Sequence, residues 1–263
     1  DLKRLDITST IENAKSIVET VCDNYHNIFD TIDIRNNNDY LFKHSIMVAE
    51  FSIAIGMKLN LKQQELVNLT ISALLHDIGK LCINKEMLDK IKINDKELMY
   101  QEKFHPFYAY SLLSKMPEIS ATTKSAILFH HKNENGTGFP ENIKVPDHIF
   151  YKILHVADAY DNLISSKNGM NPSDALEYLY ANSGTLFNVD VVNAFKSCIP
   201  IYPRGIEVKL SNGLDGVVID NTNDKSRPKV KVLIKGTNVV FDLRKYLDVT
   251  ITDIKLNDNI KRR

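Results

Sequence analysis

The chain has 263 residues, 43% hydrophobic and 25% charged, and its 33 lysines and arginines are matched by 33 aspartates and glutamates. This is the composition of a soluble globular chain long enough to bury a substantial core; the even charge balance argues against long-range attraction to a nucleic-acid polymer and leaves room only for a local basic pocket. No apolar run approaches the ~20 residues of a membrane helix, and the opening "DLKRLDITST" lacks the apolar segment of a secretory signal.

In chain order, Ile11, Ala14, Ile17, Val18, Val21, Tyr25 and Ile28 recur at helical spacing and predict an amphipathic helix over 10–30. A polar loop follows at 33–40, then a helix over Leu41 to Met57. "QELVNLTISALL" predicts a mostly buried third helix, with Gly79 as its stop. The stretch 96–116 reads as helical up to Pro117, with an irregularity before Pro106 and His105 inside the helix. "EISATTKSAILFHH" predicts another helix, and "KNENGTGFPENIKVP" is a loop rich in Gly, Asn and Pro. Asp147 is the expected N-cap of "HIFYKILHVADAYDNLI". Asn171-Pro172 restarts a helix, and "VDVVNAFKSC" forms a last short one.

After Pro200 the pattern changes. Ile206, Val208 and Leu210 alternate up to a turn at Asn212-Gly213, and Val230, Val232 and Ile234 alternate up to a turn near Gly236. A helical body is therefore expected to precede a small β-rich unit of three to five strands, whose role reads as a structural cap. Cys22, Cys82 and Cys198 form no CxxC pair and fit free thiols in a reducing cytoplasm, the expected location. A chain that begins at Asp1 is expected to be the output part of a longer, sensor-linked protein.

"SALLHDIGKLC", Ser72 to Cys82, puts His, Asp and Lys directly behind an apolar helix. Taken singly, a histidine on an apolar helix is a satisfied core residue, and His26, His148 and His155 are read that way. His44, His76 with Asp77, His105, His130 with His131, and Asp158 form a different pattern, because five separate helical segments each supply one or two of them. Burying so many polar groups without a shared partner would cost several kcal/mol. A metal centre removes that difficulty. Imidazole with carboxylate suits Fe, Mn or Zn, and the absence of cysteine argues against a structural zinc site. The donors outnumber what one tetrahedral ion needs, so two metals sharing a carboxylate are expected, a constellation that assists phosphoryl displacement. Lys80, one turn past Asp77, would then face the phosphate. The residues alone thus predict a metal-dependent phosphohydrolase.

His44 with "HDIGK" resembles the HD superfamily of metal-dependent phosphohydrolases, and "HHKNENGTGFP" at 130–140 with "VADAYDNL" at 156–163 resembles its HD-GYP subfamily. The resemblance covers roughly residues 35 to 200. It implies a mainly α fold, an HD-domain helical bundle with a small C-terminal β-rich unit, divided as 1–34 N-terminal helix and linker, 35–200 phosphohydrolase domain and 201–263 β-rich unit. It also implies hydrolysis of cyclic di-GMP to pGpG or GMP by a hydroxide bridging two divalent transition metals, Fe or Mn. Carried over by position, His44, His76, Asp77 and Asp158 would hold one metal, and Asp77 would bridge to a second held by His105, His130 and His131. Asp77 and Lys80 would be catalytic, and Lys80, Gly138, Phe139, Pro140 and Lys167 would bind substrate, with the 136–140 loop as a lid.

The departures from the family pattern carry expectations of their own. Tyr40 stands where members with a third metal carry Glu, so two metals are expected. Lys132 and Asn135 replace a Glu and an Asp, and Phe139 replaces the Tyr of GYP while keeping a stacking face. "SSKNGMNP", Ser165 to Pro172, lacks the family's arginines, so Lys167 is the nearby cation. Two other functions stay open, a metal-holding signalling module with weak catalysis and an HD phosphohydrolase for another nucleotide. The expected partners are cyclic di-GMP, signalling proteins that contact the 136–140 loop, and a second copy of the chain in a homodimer, with no nucleic-acid polymer and no membrane.

Overall fold

The computed structural model describes residues 7–23, 40–83, 102–166, 169–200, 202, 204–222 and 224–255. Among these the order is α1 (Ile7–Asp23), α2 (Tyr40–Lys58), α3 (Gln63–Leu75), a short 3-10 turn (Ile78–Cys82), α4 (His105–Leu113), α5 (Ala121–Phe129), α6 (Ile149–Ser165), α7 (Pro172–Ala181) and α8 (Val189–Cys198). Five strands follow, β1 (Glu207–Leu210), β2 (Asp215–Asp220), β3 (Lys229–Ile234), β4 (Thr237–Asp242) and β5 (Ile251–Lys255). The mainly α fold with a small C-terminal sheet is the one expected. No described helix is long and apolar enough to cross a membrane.

Helix α2 is the axis of the bundle, packed against α1, α3, α6 and α8. Val48, Ala49, Phe51, Ile53, Ala54 and Ile55 are all fully buried, so the second half of this helix is covered on nearly every side, in keeping with its largely apolar run. Phe51 of α2, Tyr160 of α6 and Phe195 of α8 meet edge to face, with ring centroids 5.3, 5.6 and 4.8 Å apart. Each such pair adds about 0.5–1.5 kcal/mol beyond the area it buries. α1 lays Ile7, Ala14, Val18 and Val21 on the bundle as one stripe. Asn171 and Asn188 cap α7 and α8 by accepting from the backbone N–H three residues on.

The sheet is antiparallel throughout, in the order β4-β3-β2-β1-β5. Lys235 and Gly236 both have positive φ, 47° and 82°, the conformation that lets a two-residue turn join β3 to β4. Val208, Leu210, Val218, Val230, Val232, Leu243 and Val249 make a second apolar cluster, separate from that of the bundle. Arg227 staples the last segment across it, donating to the carbonyls of Leu243 at 3.0 Å and Val249 at 3.2 Å.

Several element boundaries differ from the sequence reading. α3 ends at Leu75 rather than at Gly79, which instead lies in the 3-10 turn. A Cβ on Gly79 would sit 1.9 Å from the His105 carbonyl oxygen, so glycine is there to let the turn lie on the start of α4. The helix expected over 96–116 is α4, which begins at His105 with Pro106 in its first turn, where a missing N–H costs nothing. Residues 96–101 lie outside the described residues, as do Tyr25 and Ile28 of the first helix and most of the 33–40 loop. His148, not Asp147, caps α6, its ring nitrogen accepting from Phe150 N at 3.2 Å.

Candidate metal centre

The site is built largely from helix ends. The last carbonyls of an α-helix have no partner within it. His76, just past α3, turns Nδ1 back onto the Ala73 carbonyl at 2.7 Å, and His130, just past α5, does the same to Ile127 at 2.7 Å. His105 contacts the Glu102 carbonyl through Nδ1, also at 2.7 Å. A carbonyl oxygen only accepts, so in all three rings Nδ1 carries the proton and Nε2 presents a lone pair. His44, from the middle of α2, places Nδ1 2.6 Å from Asp161 Oδ2, which fixes the same tautomer. Four imidazoles are therefore oriented by the fold with Nε2 facing inward.

Those inward nitrogens converge. His44 Nε2 lies 3.2 Å from His76 Nε2, and His105 Nε2 lies 3.2 Å from His130 Nε2. Two lone pairs cannot bond to each other, so each close approach calls for a shared proton or a bound cation between the nitrogens. Asp77 stands between the pairs, with Oδ2 3.5 Å from both His44 and His76 and Oδ1 3.1 Å from His105 Nε2. Oδ1 is buried without a hydrogen-bond donor, since the nitrogen it faces is itself an acceptor. Asp158, from α6, comes within 3.1 Å of His44 Nε2 and 3.6 Å of His76 Nε2. Its other oxygen is 3.8 Å from His131 Nδ1, and His131 lies at the rim, its side chain 36% exposed. Two groups have donor atoms close enough to grip one ion each, His44/His76/Asp77 and His105/His130/His131. Converging lone pairs around an unsatisfied carboxylate oxygen fit divalent cations, and the all-N/O donor set suits a transition metal.

Electrostatics point the same way. Burial opposes charge on His44, but the Asp158 and Asp161 carboxylates outweigh it and raise its pKa to about 9. Burial likewise opposes ionisation of Asp77 and Asp158, yet the imidazoles around them, with Lys80 beside Asp77, hold both well below the usual carboxylate range. His130 is pushed down by burial and by His131, His76 and His105. The cluster thus draws positive charge toward its carboxylates, in the form of protons or of a metal.

Lys80 reaches Asp77 Oδ2 at 2.5 Å while its side chain stays 39% exposed. The 132–140 loop folds back on the site: Lys132 pairs with Gly138 in a β-bridge, Phe139 N donates to the His131 carbonyl at 3.2 Å, and Lys132 Nζ donates to the Pro140 carbonyl at 2.9 Å. Phe139 corrects the expectation of an open stacking face. Its ring is 8% exposed and packs edge-on against Phe104 at 5.3 Å and Phe107 at 5.2 Å, anchoring the loop to α4. Lys167 lies outside the described residues. Asp161, which sequence reasoning passed over, is fully buried, and Asn162 donates to Asp158 Oδ1 at 2.7 Å. The signal for Asp161 was its place three residues after Asp158, on the same side of one helix.

Comparison with known proteins gives three kinds of likeness. The family model described as HD domain matches residues 32–191. A cyclic di-GMP phosphodiesterase of Pseudomonas aeruginosa is 28% identical over 219 residues, 81% of this chain and 52% of that protein. A cyclic di-GMP phosphodiesterase response regulator of Xanthomonas campestris pv. campestris is 32% identical over 53% of this chain and 38% of its own length. A 3'3'-cGAMP-specific phosphodiesterase of Vibrio cholerae is 27% identical over 62% of this chain and 36% of its own length. The chain spans about half the length, or less, of these relatives. A solved HDG"Y"P protein from Bdellovibrio bacteriovorus shares the fold with a TM-score of 0.58 at 23% identity, over 70% of this chain and 60% of that one.

Proposed function

Because the chain belongs to the HD domain family, we propose that it is a metal-dependent phosphodiesterase that hydrolyses cyclic di-GMP to pGpG or GMP. The observation that carries this reading is the set of four imidazoles locked with Nε2 inward around Asp77, whose Oδ1 has no donor. Relatives named for cyclic di-GMP hydrolysis support the choice of substrate.

In this reading His44, His76, Asp77 and Asp158 hold one metal and His105, His130 and His131 a second, with Asp77 between them and Fe or Mn as the metal. Bound there, divalent metals supply Lewis-acid polarisation of the phosphoryl oxygens and a water made nucleophilic near neutral pH. Asp161 keeps His44 in the tautomer that presents Nε2. Lys80 has a half-exposed ammonium beside Asp77, able to swing its charge onto a phosphate oxygen as negative charge grows there. Gly138, Phe139 and Pro140 shape the substrate's edge of the site as a loop pinned by Lys132. The reading assigns 35–200 to the catalytic domain and 201–263 to a separate β-rich cap.

A second substrate, 3'3'-cGAMP, is favoured by the Vibrio cholerae relative named for it. Anaerobic incubation with Fe(II) or Mn(II) and each dinucleotide, products resolved by chromatography, decides between them. We expect turnover that requires metal and disappears in Asp77→Ala. A fully metallated chain that cleaves neither dinucleotide would overturn the reading.

A further inference from the structure

The backbone of the 132–141 loop lies directly on that of His131. A Cβ on Gly138 would sit 2.3 Å from the His131 carbonyl oxygen, and Gly138 has a φ of 82°, so glycine is what lets the two segments approach this closely. Phe139 N donates to the same carbonyl at 3.2 Å, and Asn133 N donates to the Thr137 carbonyl at 3.0 Å. Lys132, 6% exposed, reaches across with Nζ 2.9 Å from the Pro140 carbonyl oxygen and closes the loop into a ring. A lysine rarely lies this deep unless its ammonium is held. An apolar side chain would fill the same space without giving up hydration. What the ammonium adds is the closure.

The two ends of this ring meet two different helix ends. At one, His130 and His131 run straight from α5 into Lys132. At the other, the Phe139 ring packs on Phe104 and Phe107, one residue before His105 and two after it. Lys103 stands over that ring at 5.5 Å and pairs with Glu141 at 2.6 Å, a surface contact that adds little by itself. The outer half of the loop is held as well, Glu134 N donating to the Leu186 carbonyl at 3.1 Å and Asn135 N to the Thr185 carbonyl at 2.9 Å. The loop therefore bridges the end of α5, which supplies His130 and His131, to the start of α4, which supplies His105. Those three form one of the two groups able to grip an ion. None of the contacts just named falls on His44, His76 or Asp77, which form the other.

We propose that the 132–141 loop is a strap that sets the affinity of the His105/His130/His131 group for its ion, with Gly138 and Lys132 as positioning residues. They fix how the end of α5 stands against the start of α4, and so whether His105 and His130, whose Nε2 atoms are 3.2 Å apart, close on one cation together with His131. The inference rests on the two-metal reading above. It makes the two sites unequal. His44 comes from the middle of the buried α2, and His76 and Asp77 from the end of α3, so the first group is set by the core of the bundle. The second group is set by a loop, and its ion is the one that leaves when the loop is loosened.

The test counts ions on the full chain by equilibrium dialysis against Mn(II), without oxygen, for wild type and three variants. Lys132→Met keeps the aliphatic stem and removes the closure. Gly138→Ala drives a methyl group into the His131 carbonyl. Gly136→Ala is the matched control, because Gly136 has a φ of 83° but nothing within 4 Å of its would-be Cβ, so it carries the same backbone strain at the loop tip without the clash. We expect wild type and Gly136→Ala to bind two ions. Lys132→Met and Gly138→Ala should bind the first as tightly as wild type and need about tenfold more Mn(II) for the second, the low end of what losing an orienting partner does to a metal site. Both ions held as in wild type by these two variants would overturn the strap and leave the two-metal site. Both ions weakened equally would also overturn it, since that is general loosening of the bundle. A wild-type chain that binds fewer than two ions would overturn the strap together with the two-metal reading. A chain that loses the second ion in these two variants, yet cleaves neither dinucleotide when fully loaded, would uphold the strap and overturn the phosphodiesterase.

Discussion

The helical bundle and the C-terminal sheet bury their interiors by opposite rules. Among the described residues, every buried histidine, lysine and aspartate lies in the bundle: His44, His76, Asp77, His105, His130, Lys132, Asp158 and Asp161. The sheet's core is hydrocarbon only, from Val208 to Val249, and its ion pairs, Lys229 with Asp220 and Arg244 with Asp242, stay on the surface, where such pairs contribute ~0–1 kcal/mol. Burying a carboxylate carries a penalty of several kcal/mol unless its charge is matched. A fold that needed only stability would have treated both cores alike. The bundle holds two such carboxylates beside converging ring nitrogens, an arrangement that a bound cation would stabilise, and the sheet's core is packed hydrocarbon.

The largest effect that should separate the two regions comes from Asp161→Ala. Asp161 is not itself among the predicted metal ligands, yet it accepts from the His44 ring, and removing it strands that buried Nδ1–H. Loss of such an orienting partner weakens metal binding about 10–100-fold. Metal content measured after dialysis against a weak chelator should fall accordingly, with the sheet's amide exchange unaltered. Unchanged retention would mean that His44 is held by packing alone and that the carboxylate at its back is dispensable.

How much of this is legible in the sequence differs between the regions for a physical reason. The strands follow from alternation with period two and turn residues at fixed places, both local properties, so Val208, Leu210, Val230 and Val232 can be picked as inward-facing without any partner being known. The helices are legible from their apolar periodicity, and the start of α7 from Asn171-Pro172. The histidines stand out because five segments repeat the same anomaly. What the sequence hides is tertiary. Asp161 reads as a solvated face until α2 brings His44 to it from 117 residues away. Phe139 reads as a free ring until Phe104 and Phe107 enclose it. Gly79 reads as a helix stop until the His105 carbonyl is seen where its Cβ would be. His105 reads as mid-helix because Pro106 marks a break whose direction, start or end, a local pattern leaves undecided.

A packing change in the sheet makes the converse test. Val232 is 1% exposed at the centre of the β2-β3-β4 layer. Val232→Ala removes two buried methyl groups and leaves part of their volume empty, a loss of about 2 kcal/mol. Chemical denaturation should show a sheet transition shifted to lower denaturant while metal content stays as in wild type. A parallel fall in metal content would show that the two cores are one cooperative unit and would remove the distinction drawn here.

The smallest effect is expected where the regions touch. Lys225, in the loop between β2 and β3, donates to the carbonyls of Lys196 and Ser197 in the last turn of α8. A cation there answers both the unpaired carbonyls and the negative end of the helix dipole. Burial lowers the Lys225 pKa, so the ammonium gives up hydration to make this contact, and the two effects largely offset. Lys225→Met keeps the aliphatic stem and removes the charge, so the global change should stay under about 1 kcal/mol. What should change is local: faster amide exchange at Lys196 to Cys198 and at the 221–227 loop, with the proposed hydrolysis unaffected. Were hydrolysis to fall with this one contact, the sheet would be acting on the cluster through α8, which packs against both α2 and α6, the helices that carry His44 and Asp158.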